Sequence, residues 1–524
     1  MKKSKLFILG LLAPAMIALA GCIFDPLLPD DEIVITPPKI ELVSSMKINL
    51  RKRTQKKLNP VLSNTEIKNP VYNYSSTNTS VATVDGDGTV SAVAPGNCEI
   101  NVFLQSDASV KTSVDLTVTN DETNEYDYTL MFYMCGSDLE YNEDAKKPEE
   151  HGFFTQDIKE ILTVKDMPDS IRIIIETGGS KNWFMSKDYL EDASKISSTN
   201  LQRWEVNNST NKLRLIETLP GNYMAKESSF EEFLNWGLDD YEADQMGVII
   251  SGHGGGIAGC AYDDNYTYTY GKDQTYPYTL KTQDVAQAAK SALNNSTKSK
   301  FTWIGYDCCL MQCADIASIN ADYFDYMVAS QELENAIGWN HDVYLPFLRA
   351  NPSITPQMFL PEICTAFLKD KHSNSEPLNQ ACLQTLSVLD LSKMDAFTTA
   401  FNSLSEKISI TKFSYERVKT AFKSSYNVFG DSIYGLCDFS SLLSKLNALS
   451  YNTSAVESAL ADLVIANEYC SKYSITPCGV NAFFPECLDD KHILQVGKED
   501  YSNVLSTKFT YWQQMCVLHG DFGW

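Results

Sequence analysis

The sequence predicts an α/β fold, a mainly parallel sheet flanked by helices, preceded by a small β-sandwich. Three observations carry that expectation. From residue 128 to residue 330, five apolar runs rich in Ile, Val and Tyr alternate with helical stretches. Runs that are apolar along their whole length belong to a sheet covered on both faces. Between residues 40 and 119 the pattern changes to short alternating stretches separated by turn residues, with no helical periodicity. Two of the apolar runs, Met246–Ser251 and Phe301–Tyr306, then empty into turns that carry an imidazole and thiols. Parallel sheets place their ligands at such carboxyl ends of strands.

The chain begins with Lys2, Lys3 and Lys5, followed by an apolar stretch from Leu6 to Ala20 that ends in Leu19-Ala20-Gly21-Cys22. A basic start, a short apolar core and small residues before a cut site make an export signal. The core is shorter than the ~20 residues of a spanning helix, and Pro14 interrupts it. Its ending resembles a bacterial lipobox. That resemblance implies residues 1–21 as a lipoprotein signal peptide, lipidation of Cys22 and attachment to the cell-envelope membrane; the alternative is an ordinary signal peptide. Residues 22–38, rich in Pro and Asp, read as a tether.

The formal charge is −24, and the leader removes only lysines, so the remainder is more acidic still. Such a surface repels phosphate backbones and excludes nucleic acid as a partner. The 14 cysteines lack the spacing of a disulfide scaffold or zinc ribbon. Cys98, Cys135, Cys260, Cys364 and Cys382 sit in apolar or mixed surroundings and read as small buried hydrophobes. Cys470, Cys478 and Cys487 are the candidates for a bridge.

Within residues 39–119 the expected strands are Glu41-Leu42-Val43, Val81–Val84, Thr89–Ala92, Cys98–Phe103 and Ser113–Val118, with turns at Asp85–Gly88 and Pro95-Gly96-Asn97. The stretch Tyr74–Val84, with Gly88–Ala92 and Gly96, resembles the bacterial immunoglobulin-like group 2 module. The resemblance implies an immunoglobulin-like β-sandwich that serves as a spacer, or alternatively an adhesive module, and no chemistry. Residues 120–127 are polar and acidic, a linker.

Residues 128–524 form the α/β part. Tyr128–Cys135, Ser170–Glu176, Met246–Ser251, Phe301–Tyr306 and Tyr326–Ser330 are the expected buried strands. Ser229–Leu238, Thr282–Leu293 and Leu310–Asn320 are the expected helices. From about Ser353 onward, amphipathic helices mix with further strands such as Gly479–Phe484.

Of six histidines, His253 alone is flanked by glycines at the end of an apolar run, in Gly252-His253-Gly254-Gly255-Gly256. Glycines let a substrate backbone approach and leave N–H groups to hold an oxyanion. His151, His372, His492 and His519 read as surface or loop residues, and His341 as a candidate cleft residue. The other run ends in Asp307-Cys308-Cys309-Leu310-Met311. A helix starting at Leu310 would put the Cys309 thiol near its N-terminus, where thiolate is favoured, while strand alternation would turn Cys308 away. An imidazole with pKa near ~6.5 and a thiol near ~8.5 suit a cysteine nucleophile served by a histidine. Two readings remain open on these residues: a catalytic pair, or core thiols beside an acid. A metal centre at Asp307, Cys308, Cys309 and Cys313 lacks a second pair of ligands to complete it.

The order of motifs decides further. Met131–Glu140 (MFYMCGSDLE), Glu176-Thr177-Gly178-Gly179, Gln202-Arg203-Trp204, Phe233–Gly237, Ser251–Gly256, Gly305–Met311, Ala329–Glu332, Leu389–Ser392 and Gly479–Pro485 follow one another across roughly residues 127–520. This series resembles the clostripain family of cysteine peptidases, in the caspase–gingipain–legumain–separase clan. The resemblance implies a caspase-like sheet and an endopeptidase acting on peptide or protein substrates. His253 would be the catalytic histidine and Cys309 the nucleophile, with the backbone N–H groups of Gly254 and Cys309 as oxyanion hole. No third triad member is required in this clan. The family reads Asp-Ala-Cys-Leu-Met, so Cys308 departs from the pattern and is the alternative nucleophile.

A second departure concerns specificity. Family members cut after Arg or Lys through an acid in a segment like Ser-Gln-Glu-x-x-Pro-Gly-Asp-Gly-Trp-Asp. Here Ser330–Asn340 (SQELENAIGWN) has Ile337 and Asn340 in place of aspartates. With Asp307, Gln331 and Glu332, these are the candidate specificity residues. An uncharged residue before the cut is expected, unless Glu332 or Glu334 turns inward to substitute. The tyrosine-rich segment Ala261–Thr279 reads as an exposed loop, and the family resemblance implies self-processing in this region between the histidine and cysteine strands. Asp263-Asp264 are candidate calcium ligands, as some relatives need calcium, although two adjacent acids are more often only solvated. No other cofactor is implied. The competing functional class is a catalytically inactive, peptidase-like surface binding protein, an adhesin.

Overall fold

The computed structural model describes residues 37–42, 45–50, 54–58, 60–63, 67, 69–120, 126–143, 151–270, 274–294, 296, 298–368, 384–427, 435–470, 473–484 and 508–519. The leader, Cys22 and nearly all of the tether lie outside them, as do His372, Cys382, Cys487 and His492.

The N-terminal part is all β. Strands β1 (Lys39–Glu41), β2 (Ser45–Asn49), β3 (Gln55–Lys57), β4 (Val61–Ser63), β5 (Tyr72–Ser76), β6 (Ala82–Val84), β7 (Thr89–Ala92), β8 (Gly96–Leu104) and β9 (Asp107–Thr119) form sheets β2-β9-β8-β5, β3-β7-β6 and β1-β4. Along β8 every second residue, Cys98, Ile100, Val102 and Leu104, turns inward, the period-two pattern of a strand with one wet face. Val81, Val90, Val114, Leu116 and Val118 complete a separate core. The second part touches this sandwich through Lys56, whose ammonium donates to both Asp240 carboxylate oxygens at 2.8 and 2.7 Å.

The second part is built on one nine-stranded sheet. Its strands are β10 (Tyr126–Cys135), β11 (Ile171–Gly178), β12 (Leu201–Asn207), β13 (Lys212–Leu219), β14 (Ala243–Ser251), β17 (Phe301–Asp307), β18 (Phe324–Ala329), β19 (Thr385–Asp390) and β20 (Val464–Tyr469), in the order β13-β12-β11-β10-β14-β17-β18-β19-β20. The five strands expected from the apolar runs are the five neighbours β11-β10-β14-β17-β18, all parallel. Antiparallel strands flank them on both sides.

Alternation along β10 divides the core between the two faces. Tyr128, Leu130, Phe132 and Met134 pack with α2 (Phe153–Thr163), α6 (His341–Ala350) and α7 (Pro356–Leu368). Met131, Tyr133 and Cys135 face α3 (Glu227–Asp240), α4 (Thr282–Asn294), α5 (Ala314–Asn320) and the later helices α8 (Met394–Ile408), α9 (Lys412–Lys423) and α10 (Phe439–Ala448). No described helix is long and apolar enough to cross a membrane.

Two expectations are corrected here. The segment expected as a loop is a hairpin, β15 (Cys260–Tyr270) paired with β16 (Gln274–Leu280). Its Tyr-Thr-Tyr-Thr-Tyr alternation is a strand period, and Tyr266 stacks on Tyr278 across it with ring centroids 4.2 Å apart. The helix expected from Leu310 begins at Ala314, because Leu310 takes a left-handed φ of 69° and turns the chain first.

Candidate active site

The carboxyl ends of the parallel strands gather the candidate residues. Ser251 pairs with Asp307 in register, and the Gly252 N–H donates to the Asp307 carbonyl at 3.2 Å. His253 and Cys309 therefore each lie two residues beyond a paired position on neighbouring strands. Gly254 presses on the second turn: a Cβ added there would stand 2.1 Å from the Cys309 carbonyl oxygen and 2.9 Å from its nitrogen. No side chain fits at that position, which accounts physically for one of the glycines around His253.

The two cysteines have different fates. Cys308 is buried with the core on the α4–α5 face, and its thiol reaches the Ile250 carbonyl at 3.4 Å. Burial, followed by the neighbouring Cys260 thiol, pushes the Cys308 thiol well above its ordinary range. Cys309 is partly exposed, and its sulfur accepts the Glu334 backbone N–H at 3.2 Å. The same segment beyond β18 receives the Leu310 N–H at the Glu332 carbonyl and the Gln312 N–H at the Ser330 carbonyl. The cysteine at the amino end of α5 is Cys313, buried and bonded to Asp315, so the helix terminus does not act on Cys309 as expected.

His253 has a partner that motif reading did not assign. Its Nε2 lies 2.6 Å from Asp138 Oδ1. Asp138 sits in α1 (Ser137–Glu140), a single turn directly after β10. The bond from His253 holds the Asp138 carboxyl below the usual carboxylate range. The Tyr262 ring meets the imidazole edge-on at 5.7 Å. The signal in the sequence was Gly136-Ser137-Asp138, a polar turn at the end of another parallel strand.

The specificity candidates separate. Asp307 is buried on the opposite face, accepts the Trp339 N–H at 3.4 Å and is pushed up to about 7 by burial. Beside it, burial and the Asp307 charge raise the Glu334 carboxyl as well. Gln331 is a strut: its amide donates towards Asp438 and Asn481 and its Oε1 accepts the Gly479 N–H at 2.7 Å. Asn340 donates its amide to the Ala366 carbonyl at 2.7 Å, inside the protein. Glu332 turns to a recess shared with Tyr426 and Tyr473. Ile337 is half-buried. His341, expected as a cleft residue, is fully buried and bonded through Nδ1 to the Tyr344 hydroxyl at 2.8 Å.

As for cations, Asp157, Asp307 and His341 each bring one ligand atom within 4.8 Å of the others, all buried. Asp263 and Asp264 point apart. The Asp263 carboxylate accepts the Met224 and Asn265 N–H groups at 2.6 and 2.8 Å. Asp264 is pushed up to about 6 by burial and by Asp138. This geometry gives the calcium reading of the two acids no shared site.

The Glu176 and Gln202-Arg203-Trp204 motifs are structural. The Arg203 Nε donates to Glu176 at 2.8 Å and its Nη1 to Glu217 at 3.0 Å, all within the sheet beside the Trp236 ring. Among the described cysteines, Cys470 and Cys478 are free.

A family model described as the clostripain family matches residues 133–509, and one described as a bacterial Ig-like domain, group 2, matches residues 60–123. Among solved structures the chain is similar to a secreted C11 cysteine protease from Bacteroides thetaiotaomicron, iotapain. The two share 16% identity and a TM-score of 0.52, over 74% of this chain and 99% of that one. An inactive zymogen C11 protease from Parabacteroides distasonis aligns over 75% of this chain and 99% of its own, at 16% identity and a TM-score of 0.47. At such identity iotapain shows the fold alone, a mixed sheet between helices. No curated protein matches the chain. With the family model spanning most of the α/β part, the chain belongs to the clostripain family of cysteine peptidases.

Proposed function

We propose that this chain is an exported endopeptidase, anchored to the cell envelope by a lipid on Cys22, that cleaves peptide bonds with a Cys309–His253 pair. The contact of Gly254 with the Cys309 peptide carries the reading, because it places the two loops against each other while leaving only one of the adjacent thiols at the surface. Cys309 attacks the scissile carbonyl as thiolate, and the backbone N–H groups of Cys309 and Gly254 hold the oxyanion. His253 protonates the leaving amine, and water then releases the acyl-enzyme. The secreted character of iotapain supports export. The immunoglobulin-like sandwich, with its own core, serves as spacer between lipid and peptidase.

Specificity follows from the buried acids. Glu334 meets the condition of an acid turned inward, but it shares its surroundings with Asp307 and both carboxyls are pushed towards the neutral form. An uncharged residue before the cut is therefore preferred. The test is a panel of fluorogenic peptides at pH 6 and pH 8.5, with Cys309→Ala as control. Exclusive cleavage after Arg at both pH values rejects the specificity; equal activity of Cys309→Ala rejects the mechanism.

A further inference from the structure

We infer that Asp138 is the positioning residue of His253, a third member of the catalytic group. The inference rests on the peptidase reading above and extends it from a pair to a triad. An imidazole has two nitrogens, and Nε2 faces Asp138 Oδ1 at 2.6 Å. With Nε2–H donated to the carboxylate, the neutral ring keeps its lone pair on Nδ1. After His253 takes a proton, Nδ1–H is the donor available to the leaving amine, and the carboxylate, itself unprotonated, stabilises the imidazolium.

The surroundings hold both partners in place. His253 is fixed from behind by the Ala261 N–H, which donates to its carbonyl at 3.0 Å, and by Tyr262 against its ring. Asp138 is fixed by its turn. Ser137 takes a left-handed φ of 43°, its N–H donates to the Gly179 carbonyl at 3.1 Å, and its carbonyl accepts the Ser180 hydroxyl at 2.7 Å. At the end of the turn, buried Glu140 accepts the Thr155 N–H and hydroxyl at 2.9 and 2.6 Å and the Phe184 N–H at 2.8 Å.

Stability does not explain this arrangement. The side chains of His253 and Asp138 are 37% and 55% exposed, and a surface pair so wet adds little to stability. A non-glycine residue in a left-handed turn and a buried, fully bonded glutamate are a larger structural commitment than that return. They fit a carboxylate held ready for one nitrogen of one ring. Asp264 on β15 acts electrostatically on both partners, and Lys181 and Asp263 act on Asp264 in turn.

The test uses the mature full chain and a peptide substrate that the wild type cleaves. Asp138→Asn is expected to lower kcat on the order of 10²–10⁴-fold, as an orienting carboxylate does in other triads, with KM changed less than about threefold and an unchanged melting temperature. Asp138→Glu is expected to recover at least about tenfold over Asn, and the acid limb of the kcat/KM profile to move in Asp138→Asn. Wild-type kcat in Asp138→Asn with an unmoved acid limb overturns the inference. So does a loss that appears equally in KM and melting temperature, since that marks a structural role. Failure of the peptidase reading looks different: Cys309→Ala then matches the wild type, and both claims fall together.

Discussion

The sandwich and the α/β sheet bury different chemistry. Among the described residues of the sandwich the buried set is apolar apart from Asn49. The described α/β part buries Glu140, Asp157, Glu160, Glu176, Glu205, Glu242, Asp263, Asp307, Asp315, Glu332 and Asp438. Several of these lie at or just beyond the carboxyl ends of the parallel strands, where burying acids costs folding energy unless partners compensate. A spacer has no reason to bear that cost, whereas the proposed site, which would orient an imidazole, seat a thiol and select a side chain, does. The contrast teaches where to look for function in this chain: at the polar end of the apolar sheet.

Four changes break or sharpen the contrast. The largest effect is expected from Arg203→Met, which leaves Glu176 buried without its cation; equilibrium unfolding should show a loss of ~3–5 kcal/mol. Next comes Gly254→Ala. Its Cβ must displace the Cys309 carbonyl, and kcat/KM should fall at least about 100-fold, ~2.7 kcal/mol. A fall of less than threefold would show that the two loops are not coupled.

The third is a pH effect. Asp307 and Asp315 are pushed up to about 7 by burial, while in the unfolded chain they titrate near ~3.9. Between those values the folded chain holds more protons, so stability falls as pH rises from about 4 to about 7 and is flat with respect to these groups above that. Unfolding free energies across this range should decline, with a ceiling of roughly 4 kcal/mol for each of the two groups, and Asp315→Asn should flatten part of the slope. The smallest effect belongs to the spacer contact: Lys56→Ala removes a partly exposed ion pair with Asp240 and should cost only ~0–1 kcal/mol, with kcat untouched.

Much of this was legible in the chain. The five central strands are apolar throughout, so each stood out as a run, and the two glycine- and cysteine-bearing turns marked the strand ends. The flanking strands were less visible because their residues are half polar: Lys212–Leu219 alternates only loosely, and Leu201–Asn207 carries Gln202, Arg203 and Glu205, which are buried through partners rather than through apolarity. The β15–β16 hairpin was missed because tyrosine and threonine read as polar loop residues, although their alternation already had a strand period. The helix after Cys309 was placed too early because nothing in Leu310 announces a left-handed turn. Asp138 was missed as a partner of His253 because 115 residues separate them and only the parallel register of β10 and β14 brings their turns together.

The central claim is that Cys309, and not its neighbour, meets the substrate. The direct measurement is peptide-mapping mass spectrometry of the mature chain after reaction with a peptidyl acyloxymethyl ketone. The account predicts one adduct, on the Cys309 sulfur, lost in Cys309→Ala and retained in Cys308→Ala. An adduct on Cys308, or none on either residue in an active preparation, contradicts it.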